Sequence, residues 1–244
     1  DQFNISKIRT ETSMNLKQHF EIEGYKVYKG IIPAEIIDDI NYKAHLLIPY
    51  RAHSLDQKYY PKNKVKECKE LGIWWSQQIV DWQEVRAISK ILLDILGLIF
   101  DEPHVYVADI ISNEPNNSFV KPHIDSPYRF DQWHQSTELL GIQCIIPLCK
   151  FTVENGGTGI LPNSHTKNWI VKDSYAGKYN DEFLAGVIQP EMDVGDVLFY
   201  HPKILHSTMP NSSDFVRRAL LIHITTPLMI EQMKLVDNIW LELE

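Results

Sequence analysis

Residues 195–218 read GDVLFYHPKILHSTMPNSSDFVRR, and the fold turns on how they are taken. Gly195-Asp196 is a turn pair that launches a strand. Val197, Leu198, Phe199 and Tyr200 are large or β-branched apolar residues and read as that strand. His206 follows in a small, polar setting beside Ser207 and Thr208, and Arg217 stands eleven residues later at the head of the apolar run Ala219 to Ile222. The turn-rich stretch Pro210 to Ser213 separates them, so the expectation is a hairpin with a histidine on one arm and an arginine on the other.

Upstream, Lys121-Pro122-His123-Ile124-Asp125-Ser126 places an imidazole and a carboxylate two residues apart. On a strand, positions i and i+2 share a face. With His206 from a distant strand, His123 and Asp125 make two histidines and one carboxylate on one side of a metal. That donor set suits non-haem Fe(II) oxygen chemistry and leaves the other coordination positions open.

The 244 residues carry a net charge of −8 and 44% hydrophobic residues, enough for a substantial core in a single large domain. No basic face invites nucleic acid. Cys68, Cys144 and Cys149 show no CxxC and no zinc spacing, which suits a reduced, cytoplasmic setting. No stretch approaches the roughly 18 apolar residues of a membrane span, and no secretory leader is evident.

Along the chain, residues 1–14 are polar and expected to be loose. A short helix over 15–23 would turn Leu16, Phe20 and Ile22 inward, and a strand follows at Tyr25 to Tyr28. Pro33 opens a helix carrying Ile36, Ile37, Ile40, Ala44 and Leu47. Residues 50–72 are basic and irregular, a candidate lid. Trp74 to Leu96 reads as one long helix striped by Ile79, Val85, Ile88, Leu92 and Ile95. From His104 the period changes to two: strands are expected at His104 to Ile111, Val120 to Asp125, Leu139 to Leu148, Gly159 to Leu161, Gly186 to Gln189, Val197 to Tyr200 and Arg217 to Thr225. Residues 166–186 read as a loop, and Leu228 to Leu243 as a closing helix. Helices followed by many short strands argue for a mainly β, α+β fold, a jelly roll with the N-terminal helices packed on one sheet.

Several pieces together resemble the phytanoyl-CoA dioxygenase family of Fe(II)/2-oxoglutarate oxygenases. These are His123-x-Asp125, Glu154-Asn155-Gly156-Gly157, Leu161-Pro162-Asn163-Ser164-His165, the run Gly195 to Pro202, His206 and Arg217, with the opening Phe20 to Pro33. The resemblance covers roughly residues 15–226 and implies a double-stranded β-helix. It implies Fe(II) held by His123, Asp125 and His206, with 2-oxoglutarate and O2 as cosubstrates. It selects Arg217 over its neighbour Arg218 for the far carboxylate of 2-oxoglutarate, because a planar guanidinium forks onto a carboxylate. Arg218 is then expected on the solvated outer side. Thr208 matches a cosubstrate hydroxyl position, and Tyr106 and Gln143 are candidates for the same pocket or for satisfied core polar groups. Tyr128, Arg129 and Trp133 follow the first metal segment, where they either touch substrate or pack. His165 reads as structural. Where the family has Pro-Gly-Ser-His this chain has Asn163, a residue that tolerates left-handed backbone.

The implied reaction hydroxylates a C–H bond of a small molecule while 2-oxoglutarate is decarboxylated to succinate and CO2. Asp125 speaks against halogenation, in which related enzymes leave that position to chloride. The basic 50–72 segment hints at an anionic substrate. A jelly roll that binds without catalysis, or an oxygenase acting on a protein, are the alternatives.

Overall fold

The structure, a computed structural model, describes residues 16–47, 72–75, 79–97, 99–117 and 119–241. The predicted regions 1–14 and 50–71 lie outside them. Among the described residues the strands are β1 (Tyr25–Tyr28), β2 (Ile73–Trp75), β3 (His104–Asn113), β4 (Ile142–Pro147), β5 (Thr158–Ile160), β6 (Val197–Tyr200), β7 (His206–Thr208) and β8 (Arg217–Thr225). The larger sheet is antiparallel, ordered β1-β6-β4-β8-β3-β2, and β5 pairs with β7 in a second, facing sheet. The result is a double-stranded β-helix.

Alternation along each strand divides the side chains between two cores. Ala108 and Ile110 of β3, Ile142, Cys144 and Ile146 of β4, and Leu220, Ile222 and Ile224 of β8 face outward and are buried under two helices, Ala34–Leu47 and Gln83–Leu96. The helices answer with Ile37, Ile40 and Ala44, and with Val85, Ile88, Leu92, Ile95 and Leu96. Each large apolar side chain so buried contributes about 1.5–3 kcal/mol relative to exposure. The alternate set, Ile145, Leu198, Tyr200 and Ala219, points between the sheets and packs on Phe151, Ile160, Met192 and Ile204. In this interior the functional groups collect.

Several expectations need correction. His206 and Arg217 do not face each other across a hairpin: β7 lies in the small sheet and β8 near the centre of the large one, so the turn-rich 209–216 segment crosses from sheet to sheet. The Trp74–Leu96 stretch is not one helix. Ile73–Trp75 adds an edge strand to β3, and the helix starts at Gln83, since aromatic residues serve an edge strand well. Residues 166–186 hold two short helices, Val171–Tyr175 and Asn180–Gly186, in place of a loop. Neither 186–189 nor 120–125 is a regular strand; each touches the small sheet through one bridge, Ile160↔Ile188 and His123↔His206. Ile22 is exposed, while Leu16 and Phe20 are buried as expected. Arg218 is buried beside Cys149, because the helical layer covers that face of β8. Asn163 does adopt the left-handed conformation (φ 63°).

Candidate metal and cosubstrate site

One rung of the small sheet assembles the site. His123, His206, Ile160 and Ile188 lie side by side, joined His123↔His206, His206↔Ile160 and Ile160↔Ile188. His123 and His206 exchange both backbone hydrogen bonds, at 3.0 and 3.1 Å. The Asp125 N–H donates to the Pro202 carbonyl at 2.7 Å, which pins the carboxylate on the same edge. Ligand-type atoms of His123, Asp125 and His206 consequently fall within 4.8 Å of one another. Asp125 Oδ2 is 3.3 Å from His206 Nε2, and Oδ1 is 4.0 Å from His123 Nε2.

Both rings are oriented in the same way. His123 Nδ1 lies 3.1 Å from the Lys121 carbonyl, and His206 Nδ1 3.0 Å from that of Ile204. A carbonyl only accepts, so each Nδ1 carries the proton and each Nε2 presents a lone pair to the shared centre. Burial by itself would raise the Asp125 pKa, but His206, and then His123 and His223, hold it far below the usual carboxylate range. Burial by itself would lower the His206 pKa, and Asp125 overcomes it and raises it. Two neutral imidazoles and one carboxylate around a common point suit a divalent cation such as Fe(II).

The larger sheet supplies the opposite wall. Gln143 on β4 is directly across from both Tyr200 on β6 and His223 on β8, so the three share the inner face. Gln143 Oε1 and His223 Nε2 are buried without hydrogen-bond partners. Tyr106, at a bulge in β3, sets its ring edge-on to His223 at 5.5 Å. Asp109 faces the same interior across from Leu221; its Oδ1 is unpartnered, and burial pushes its pKa up to about 7.

At the far end of β8, Arg217 is 1% exposed. Its Nη2 donates to the Gly156 carbonyl at 2.8 Å, its guanidinium lies 4.7 Å from the Phe151 ring, and its Nε has no partner. Desolvation lowers its pKa to about 10. Among the described residues no carboxylate pairs with it, although an isolated buried charge is costly. A dicarboxylate fits that vacancy of charge. Thr208 shares the His206 face of β7 and is half-buried across from Thr158.

The residues after Asp125 divide. Tyr128 is fully buried: its hydroxyl donates to the Glu138 carbonyl and accepts from the Leu140 N–H at 2.8 Å, so in this structure it ties down the 138–140 segment. Trp133 packs edge-on against Phe130. Arg129 is exposed, stacked on Phe130, and its charge is felt by His223 together with that of Asp125. His165 is buried against Gly24 and stacks near His201, in keeping with a structural part. Sequence reasoning left His223 to structure or surface, and passed over Tyr200 and Asp109. Strand alternation from Leu198 and Ala219 would have turned Tyr200, His223 and Arg217 inward, but an alternating pattern does not say which inward residues stay polar.

Known proteins bear on the family and the fold. A family model described as phytanoyl-CoA dioxygenase matches residues 20–219. The chain belongs to that family. The family's description is that of a dioxygenase. Among curated proteins, the dioxygenase andF of Emericella variicolor is 32% identical over 113 residues, 46% of this chain and 37% of that protein's length. Among solved structures, the non-haem α-ketoglutarate-dependent epimerase SnoN from nogalamycin biosynthesis superposes with a TM-score of 0.66 at 16% identity, covering 88% of this chain and 84% of its own. EctD from S. alaskensis, solved with 2-oxoglutarate and 5-hydroxyectoine, gives 0.66 at 17% identity over 88% and 76%. HygX from Streptomyces hygroscopicus, solved with nickel and 2-oxoglutarate, gives 0.63 at 13% over 89% and 87%. At these identities the structures speak for the fold.

Proposed function

We propose that this dioxygenase hydroxylates a C–H bond of a small, anionic molecule, with His123, Asp125 and His206 as the iron ligands and Arg217 as the anchor of 2-oxoglutarate. The observation that carries the reading is the buried, uncompensated Arg217 guanidinium in the same interior as three converging metal donors. When bound, the iron supplies oxidative decarboxylation of the keto acid coupled to oxygen insertion. The chain's own groups do the rest. The two Nδ1–H donors fix the imidazoles in the ligating tautomer. Arg217 meets the far carboxylate with a forked pair of hydrogen bonds, strengthened by the dry surroundings. Thr208 shares a strand face with His206, and Gln143 lies on the opposite wall across from Tyr200 and His223. Tyr106 packs on His223, at the end of β8 away from Arg217. Arg129, exposed beside Phe130 and sensed by His223, supports an anionic substrate.

The test is turnover of 2-oxoglutarate to succinate by the Fe(II)-loaded protein in air, with His206→Ala and Arg217→Ala alongside. Succinate formed by the wild type and lost in both variants supports the reading. Succinate retained in either variant refutes that residue's role. For the anionic substrate, Arg129→Glu is expected to raise KM at least tenfold for an anionic substrate found by metabolite screening, and to leave the KM for 2-oxoglutarate unchanged.

A further inference from the structure

Tyr200 ends β6 with its ring buried among Ile145, Phe151, Ile160 and Met192, and only 1% of the residue is exposed. A hydroxyl in such apolar surroundings is costly unless it finds a partner. Its partners are ligand atoms of the site just described: Oη lies 3.0 Å from Asp125 Oδ2 and 3.3 Å from His206 Nε2. Both Nε2 atoms are acceptors when the rings are neutral, because their Nδ1 protons are committed to backbone carbonyls. The carboxylate also only accepts. Among the described residues, Tyr200 is the side-chain donor that the site's hydrogen bonds bring to this cluster of acceptors. Once a cation takes the Nε2 lone pairs, the phenol proton is left to Asp125 Oδ2.

We infer that Tyr200 is a positioning residue that holds Asp125 as a one-oxygen metal ligand. This rests on the metal reading above. The count of coordination positions gives the bond its purpose. An octahedral ion offers six positions, and three single-atom protein ligands leave three. A chelating keto acid fills two, which leaves one for the remaining reactant. A carboxylate free to swing and bind through both oxygens would take that last position. A hydroxyl that engages Oδ2 keeps the carboxylate from doing so, and it lowers the charge that the ion must balance. Phenylalanine at the same place would pack as well and supply none of this.

The experiment is Tyr200→Phe, which keeps the ring and removes only the hydroxyl. Affinity for Mn(II) and Fe(II) is measured by anaerobic titration. The visible absorption band of the Fe(II)–2-oxoglutarate complex and the melting temperature of the metal-free protein are recorded as well. The expected result is a metal affinity that differs from the wild type by about tenfold or more, a displaced or weakened band because the freed carboxylate competes with the keto acid, and a metal-free melting temperature close to that of the wild type. Identical affinity and an identical band in the two proteins would overturn the inference and leave the metal reading standing. A phenolate-to-Fe(III) charge-transfer band in the oxidised wild type, absent from Tyr200→Phe, would also overturn it, since the oxygen would then be a ligand itself. A wild type that binds neither metal would overturn both readings.

Discussion

Arg217 and Asp109 are two buried charge-bearing groups on neighbouring strands of one sheet, and they are predicted to respond in different ways. For Arg217→Lys the expected outcome is a rise in KM for 2-oxoglutarate of at least tenfold with protein folding retained, because a single ammonium cannot reproduce the fork; steady-state kinetics checks it. Asp109 has a pKa raised by burial from 3.8 to about 7. The unfolded chain therefore ionises before the folded one, and stability falls as pH rises from about 4 to 7, by an amount on the order of 4 kcal/mol if the whole shift is realised. Asp109→Asn removes this dependence. Its melting temperature relative to wild type is expected to climb steadily between pH 4 and pH 8; a pH-independent difference would refute it.

Turns and short segments carry as much of the site as the strands do. Gly156 has φ of +70°, and a Cβ there would come within 2.3 Å of the Met209 carbonyl oxygen and 2.6 Å of Asn113 Nδ2. The same carbonyl group of Gly156 receives Arg217 and Asn113. Gly156→Ala is thus expected to cost more than about 1 kcal/mol in stability and to weaken 2-oxoglutarate binding. Calorimetry and titration would show the two losses together. The EN-GG turn, the His-x-Asp pair and the GD-led strand were legible because each depends on backbone conformations or donor types that few residues provide. The hairpin expected between His206 and Arg217 was not, because turn residues announce a reversal without saying which sheet the chain enters next. The single-rung bridge at His123 was equally hidden: one pair of hydrogen bonds imposes no periodicity on the sequence. For the helix that was drawn too long, residues Trp74 and Trp75 satisfy a 3.6-residue stripe and an edge strand alike, and the unpaired edge of β3 decides between them.

Across the molecule, two inner histidines are kept neutral by burial. The pKa of His201 is lowered to about 3 by desolvation and by its neighbours His165 and Lys203, and that of His223 to about 4 chiefly by desolvation. Depressed values mean that the stability they support is complete above the unfolded pKa near 6.5 and drains away as pH falls toward 3–4. Asp109 works in the opposite sense over part of that window, so the clean observable is a variant. His201 Nδ1 accepts the Lys203 N–H at 3.0 Å, a bond that asparagine can copy. His201→Asn is expected to lose less stability than wild type between pH 6.5 and pH 4, as followed by chemical denaturation. The outward apolar faces of β3, β4 and β8 and the helices over them were the most legible part of the fold, since period-two and period-3.6 patterns meet there without interruption. The interior was least legible, because its residues are chosen for chemistry and interrupt those patterns.

The strand order has a consequence for how the protein comes into being on the ribosome. β1 pairs with β6, Tyr25 against Tyr200, so the first described strand waits 175 residues for its neighbour. β3 and β4 wait for β8. His123 likewise has no His206 beside it until 83 further residues have been made. A nascent chain that has just exposed His123 and Asp125 holds two of the three donors with no frame around them, and on the proposed reading such a pair would bind iron weakly. Translation must pass β8 before the barrel can close. On the metal reading proposed above, this order would keep iron from an unfinished polypeptide, where it would meet oxygen with nothing to direct the oxidation.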